Sequence, residues 1–254
     1  MRIFKLMVIA IVICFIGFRG IHCTKQSYEH ESQIEATLEN TAMTTQDIPV
    51  SQPEEAETDI MQTKQLPADI AAKKVDFNEL ETINQDIVAW IYIPAVDISY
   101  PVLQGKDNNE YLHRSFDGKK SSAGAVFMNC ANASDLSDDN TFIFAHNMKN
   151  GTMFGALKSF VWKKDTIDID PYIWIFTREA TYRFEIFSAY NTTKSSDMYI
   201  VAKDHNAYVQ KALKQSVISH PCKTDDHLLT LSTCAGVAGS GQRLLIHASL
   251  NETY

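Results

Sequence analysis

Leu228-Leu-Thr-Leu-Ser-Thr-Cys234-Ala-Gly-Val-Ala-Gly-Ser-Gly-Gln-Arg243-Leu-Leu-Ile-His-Ala-Ser-Leu250 consists of two apolar runs joined by a loop too rich in glycine to continue either of them. Such runs read as strands, predicted over Leu228 to Thr233 and Arg243 to Leu250. Cys234 then sits at a strand end, where a side chain reaches a rim. Arg243 opens the next strand, and pairing of the two strands returns its guanidinium to the thiol. Taken alone, a cysteine here reads as a buried structural residue, and the arginine as a solvated charge. A nucleophilic reading needs a base or positive charge close to the sulfur.

Working outward, Ile87 to Ile93, Ile98 to Leu103, Gly124 to Met128, Thr141 to Ala145, Thr166 to Ile169, Tyr172 to Thr177 and Thr181 to Thr193 are β-branched or aromatic runs between turn residues. Each is predicted as a strand. His205 to Val217 is predicted as a helix, and Val75, Leu80 and Ile83 among charged neighbours predict a short helix leading into the domain. Many short strands with few helical periods indicate a mainly β fold, an antiparallel barrel or sandwich and not a βαβ fold. The chain carries no internal repeat and no glycine-rich phosphate loop.

Composition divides the 254 residues into three parts. Arg2 and Lys5 precede the apolar run Leu6 to Phe18, the order of an export signal, and no clear small-x-small cleavage site follows. A signal anchor is expected over residues 1–23, with a cleaved signal peptide as the competing reading. Residues 24–75 are rich in Glu, Gln, Thr and Ser and bury too little apolar surface to offset the entropy of ordering, so they read as a flexible acidic stalk. The folded domain is expected over 76–254. A net charge of -8 argues against a nucleic-acid partner, which calls for a basic face.

Cys14, Cys23, Cys130, Cys222 and Cys234 are too few for a disulfide scaffold. Three of them lie in the expected domain, so at least one is left unpaired within it. A Cys130–Cys222 bridge is compatible with the sequence, and so are separate thiols. His146 supplies a candidate base for Cys234, because it ends the run Thr141-Phe-Ile-Phe-Ala and begins the polar loop Asn-Met-Lys-Asn-Gly.

Thr230-Leu-Ser-Thr-Cys234, with an arginine on the next strand, resembles the TLxTC signature of the sortases. Thr141-Phe-Ile-Phe-Ala-His-Asn-Met-Lys-Asn-Gly-Thr-Met-Phe154 resembles the stretch that carries their active-site histidine, in its class B form. Asn84-Gln-Asp-Ile-Val-Ala-Trp-Ile-Tyr-Ile-Pro94, Tyr100-Pro-Val-Leu-Gln104 and Asn108-Asn-Glu-Tyr-Leu112 are similar to the opening of that domain, in the same order. The resemblance runs from Asn84 to the C-terminus. It implies an eight-stranded β-barrel with an N-terminal helix and an extra helix before the late strands. It also implies a cysteine transpeptidase with Cys234 as nucleophile, His146 as proton-transfer partner and Arg243 stabilising the reacting carbonyl. Asn108, Leu112, Tyr199, Ile200, Ser232 and Thr233 match positions that line the class B groove, whereas the small loop after Cys234 departs from the pattern. The implied partners are an exported protein with a C-terminal sorting motif and an amine of the cell wall or of a pilin, with no cofactor and no metal. Hydrolysis by the same three residues, or a non-enzymatic binding module, are the alternatives.

Overall fold

The computed structural model describes residues 65–163, 165–200, 204–221, 223–224, 227–236 and 240–254. The expected anchor, the stalk up to residue 64 and Cys222 lie outside the described residues. Among the described residues no helix is long and apolar enough to cross a membrane.

Alternation builds the strands. In β1 (Ile87–Ile93) Ala89, Ile91 and Ile93 are buried in the barrel core while Trp90 and Tyr92 face the other way, and an irregularity between Ile87 and Ala89 turns the buried Ile87 into a second cluster with Leu103. The remaining strands are β2 (Ile98–Leu103), β3 (Val126–Met128), β4 (Asn140–Phe144), β5 (Tyr172–Phe176), β6 (Thr181–Thr193), β7 (Leu228–Cys234) and β8 (Gln242–Thr253). They close into a barrel in the order β1-β2-β3-β4-β7-β8-β6-β5. Ile91, Ile143, Ile175, Leu231 and Ile246 belong to the apolar cluster that fills it.

The barrel is mixed and not antiparallel, because β2 pairs with β3 and β4 pairs with β7 in parallel. Parallel neighbours need a crossover of a dozen or more residues. Strand-forming composition marks most of the strands and is silent on which long connection returns in which direction.

Among the described residues five α-helices accompany the barrel: α1 (Ala68–Ala71), α2 (Phe77–Ile83), α3 (Ser159–Trp162), α4 (Thr166–Ile169) and α5 (His205–Gln215). Asp76 caps α2 by accepting from the backbone N–H groups of Asn78 and Glu79. The run Thr166 to Ile169, expected as a strand, is the helical turn α4. In a strand Ile167 and Ile169 would share a face; here Ile167 is buried at 3% and Ile169 is 71% exposed. The Thr166 hydroxyl donates to the Ser159 carbonyl, which holds α4 against α3.

Packed structure also starts ahead of Asp76, within the stretch that composition assigns to the stalk. Ile70 of α1 is 2% exposed and joins Trp174 and Phe176 in a cluster on the outside of β5. On another outer face α5 lays Tyr208, Val209 and Ala212 on Phe187, Tyr190 and Leu245. The resulting arrangement is the eight-stranded barrel with an N-terminal helix and one helix before the late strands.

Candidate active site

Alternation along β7 sends Leu229, Leu231 and Thr233 toward one face and Leu228, Thr230, Ser232 and Cys234 toward the other. Leu229 and Leu231 belong to the barrel core and Leu228 to the cluster under α5. Cys234, the last residue of β7, is exposed and is a free thiol. Cys130 is disulfide-bonded.

The β4–β7 register runs Asn140 against Leu228 through Phe144 against Ser232. Both strands end at the same edge, so His146 leaves β4 where Cys234 leaves β7. Two bonds carry the pairing past the strand ends: the Ala145 N–H donates to the Ser232 carbonyl at 3.4 Å, and the Thr233 hydroxyl donates to the Ala145 carbonyl at 2.7 Å. Antiparallel pairing on the other side of β7 sets Arg243 directly opposite Cys234. The three chemically competent side chains thus come from three adjacent strand ends at one rim.

His146 is held from two directions. Its Nε2 lies 2.8 Å from the Leu112 carbonyl oxygen. A carbonyl only accepts, so Nε2 carries a proton in either charge state, and Nδ1 is the nitrogen that gains and loses one. Behind the ring, the His146 carbonyl accepts from the Phe154 N–H at 3.0 Å and Asn147 bridges Met153, which closes the Asn-Met-Lys-Asn-Gly loop on itself. Phe154 is fully buried, and the Tyr100 hydroxyl accepts from the Met153 N–H. Tyr100-Pro-Val and His146-Asn-Met are therefore parts of one assembly.

Gly124 makes the Leu112–His146 contact sterically feasible. Its φ is +61°, and a Cβ there would lie 2.6 Å from the Tyr111 carbonyl oxygen, 2.9 Å from that of Leu112 and 3.1 Å from His146 Cδ2. Tyr111 is anchored below, its hydroxyl donating to Asp86 and accepting from Asn84. Burial, followed by the Asp86 bond, pushes that phenol up to about 12.

Beside the last residues of β7 the Tyr199 and Ser232 hydroxyls are 2.7 Å apart, and the Tyr199 ring stacks on Phe142. Burial raises the Tyr199 phenol, with smaller effects from Ser232 and Arg243, which lower it, and Cys234, which raises it; the ring lies within electrostatic reach of both. Ile200 beside it is 61% exposed. Among the described residues the Arg243 guanidinium hydrogen-bonds only the Gln242 carbonyl, through Nη1 at 3.0 Å. That leaves the rest of its planar fork for a ligand.

Asn108 is engaged elsewhere: its amide nitrogen donates to Asn129 and its oxygen accepts from the Cys130 N–H at 2.8 Å, which fixes the turn after β3. Thr233, expected to line the groove, is buried at 3% and spends its hydroxyl on Ala145. Neither side chain is brought to the Cys234 sulfur by these bonds. Among the described residues no cluster of His, Cys, Asp and Glu is arranged to hold a metal ion.

A sortase-domain family model matches residues 91–251. The chain belongs to the sortase family. It is 36% identical over 167 residues to sortase B of Listeria monocytogenes, covering 63% of this chain and 67% of that one. It is 33% identical over 165 residues to sortase B of Staphylococcus aureus, covering 62% and 67%. A solved Staphylococcus aureus sortase B–substrate complex superposes with a TM-score of 0.64 at 28% identity, over 69% of this chain and 84% of the other. This class B sortase is a cysteine transpeptidase. The Leu112 carbonyl on His146, the space at Gly124 and the Tyr111 anchor beneath them are contacts that sequence reasoning missed. A backbone carbonyl leaves no residue-type signal, and Gly124 stands out only through its place before a strand.

Proposed function

We propose that this sortase cleaves an exported protein at a C-terminal sorting motif and transfers it to an amine of the cell wall or of a pilin. Cys234 sulfur attacks the carbonyl carbon of a threonine in the motif and the peptide C–N bond breaks. His146, through Nδ1, supplies the proton that the departing amine needs. The incoming amine then attacks the thioester carbon, gives its proton to Nδ1, and releases the Cys234 sulfur as the new peptide bond forms. Arg243 faces the developing oxyanion with donors that keep their charge at any working pH. Tyr199, Ile200 and Ser232 form the groove wall beside the sulfur, and Leu112, whose carbonyl meets His146, belongs to its far side.

The observation that carries this reading is the convergence of Cys234, His146 and Arg243 at three adjacent strand ends. Residues 1–23 anchor the enzyme in the membrane and the acidic stretch after them holds the catalytic domain outside it, a reading supported by the basic-then-apolar order of the first residues. The test is mass spectrometry of the full-length protein with a sorting-peptide library. A Cys234 thioacyl adduct that an added amine discharges into a transfer product is expected. A Cys234→Ala variant that still turns over substrate sinks the assignment.

A further inference from the structure

A line of polar side chains crosses the sheet beneath the groove, buried between the barrel and α5. The Tyr190 hydroxyl is 2.9 Å from His247 Nε2, and His247 Nδ1 is 2.9 Å from Thr230 Oγ1. Thr230 Oγ1 donates to Asn140 Oδ1 at 2.9 Å, Asn140 Nδ2 donates to the Tyr208 hydroxyl at 3.0 Å, and that hydroxyl donates to the Met198 carbonyl at 2.8 Å. His247 and Thr230 are fully buried and Asn140 is 2% exposed. The five side chains come from β6, β8, β7, β4 and α5.

The direction of every bond follows from the last one. A carbonyl only accepts, so the Tyr208 proton is committed to Met198 and Tyr208 must accept from the Asn140 amide. Asn140 Oδ1 therefore takes the Thr230 proton, and Thr230 oxygen must accept from a protonated His247 Nδ1. Neutral His247 is left with an Nε2 lone pair, which accepts from Tyr190. Each group has one consistent role, and an error at any link leaves a buried polar atom unpaired, at a cost that exceeds the worth of an ordinary hydrogen bond.

The far end of this line is a short turn that carries part of the site. Met198 lies in the 3-10 turn Asp197–Tyr199, and the next residue is Tyr199, whose hydroxyl meets Ser232 two positions before Cys234. Ser196 caps the same turn by accepting from the Met198 N–H. Thr230 is itself two positions before Ser232 on the same face of β7. The line and the groove wall are therefore joined at both Met198 and β7.

We propose that His247 and Thr230 are positioning residues whose buried one-way chain of hydrogen bonds, ending on the Met198 carbonyl, holds Tyr199 against Ser232 and so shapes the groove for the sorting peptide. This rests on the reading that Cys234 does the chemistry and Tyr199 lines its groove. It gives the first threonine of Thr230-Leu-Ser-Thr-Cys234 a task distinct from that of Thr233. It also explains a histidine that touches no substrate. A chain of directed bonds restricts the turn more narrowly than apolar packing under α5, which tolerates sliding.

The test uses full-length Thr230→Val, Thr230→Ser, Tyr190→Phe, Tyr199→Phe and the Thr230→Val/Tyr199→Phe double variant, assayed well below their melting temperatures. Thr230→Val should raise KM for a sorting peptide about tenfold, the equivalent of one lost hydrogen bond. Its kcat and the iodoacetamide alkylation rate of Cys234 should change little, and Thr230→Ser should restore KM. In the Tyr199→Phe background, Thr230→Val should add no more than about twofold, because the chain acts through that tyrosine. Full additivity with Tyr199→Phe, or a loss of activity that only follows the unfolded fraction, overturns the proposal. Should Thr230→Val fail to fold, Tyr190→Phe removes only the first donor; an unchanged KM in that variant, with Tyr199→Phe impaired, is then the overturning result. Failure of the underlying reading is separate: it shows as turnover by Cys234→Ala, or as a normal KM in Tyr199→Phe.

Discussion

The Thr233 hydroxyl donates to the Ala145 carbonyl at 2.7 Å, one residue before Cys234 on one strand and one residue before His146 on the other. This bond closes the parallel β4–β7 pair at its last rung and sets the separation of the two side chains beyond it. Thr233→Val keeps the shape and removes the donor, leaving a buried carbonyl unpaired at a cost of about 1–3 kcal/mol. Urea unfolding should register that loss. Turnover by the folded variant should fall through kcat, whereas Thr233→Ser should retain both; normal kcat in Thr233→Val would show that the rung does not set the geometry.

Arg243 stands opposite Cys234, and among the described residues its guanidinium hydrogen-bonds only the Gln242 carbonyl. Arg243→Lys keeps the charge and loses the planar fork, so it is expected to act as a severe lesion, about 100- to 1000-fold in kcat. Alkylation of Cys234 should be little changed. Near-normal turnover, or collapse of alkylation together with turnover, would assign Arg243 a general electrostatic role.

At Gly124 a Cβ meets two backbone oxygens and the His146 ring at once, in a left-handed conformation. Gly124→Ala should cost about 1–3 kcal/mol in strain and push the Leu112 carbonyl off His146 Nε2. Nitrogen NMR of the imidazole reads this directly: the wild type should show the Nε2–H tautomer, and Gly124→Ala a mixture. A wild-type ring protonated on Nδ1 in its neutral form would refute the assignment of Nδ1 as the working nitrogen.

Burial of His247 against Tyr190, Tyr208, Thr230 and Phe187 pushes its imidazole down from 6.5 to about 3. Below pH 6.5 the unfolded chain binds a proton there that the folded chain refuses until about pH 3, so stability falls as pH drops through that window. The slope approaches about 1.4 kcal/mol per pH unit in its middle. Ionisable groups common to both proteins cancel in the comparison, so the difference between wild-type and His247→Gln thermal melts from about pH 6.5 to about 4.5 isolates this histidine. His247→Gln should be less stable at neutral pH and visibly flatter with pH; equal slopes would contradict the assignment.

Ile70 packs on Trp174 and Phe176 although it precedes the compositional boundary at Asp76. A chain starting at residue 65 should melt like the full-length protein, whereas one starting at Asp76 should lose about 2–4 kcal/mol, the range of a deleted buried isoleucine. Equal melting of the two would return the stretch to the stalk.

What the sequence determined by itself is local. β-branched and aromatic alternation placed β1, β2, β5, β6 and β7 within a residue or so, because strand preference is a property of neighbouring residues and one half-buried face. The Thr230-Leu-Ser-Thr-Cys234 and His146-Asn-Met stretches carried the family and the candidate chemistry. Thr166 to Ile169 misled because four residues cannot separate a period of 2 from one of 3.6; only the burial of Ile167 without Ile169 decides it. Tertiary structure alone decided the parallel β4–β7 pair, which brings His146 and Cys234 to one edge from distant parts of the chain. It also decided the contacts that sharpen the site: the Leu112 carbonyl on His146, the space at Gly124, and the directed chain from His247 to Met198. Backbone carbonyls and bond directions have no letter in a sequence, and they acquire partners only when packing against the rest of the fold fixes register and excludes water.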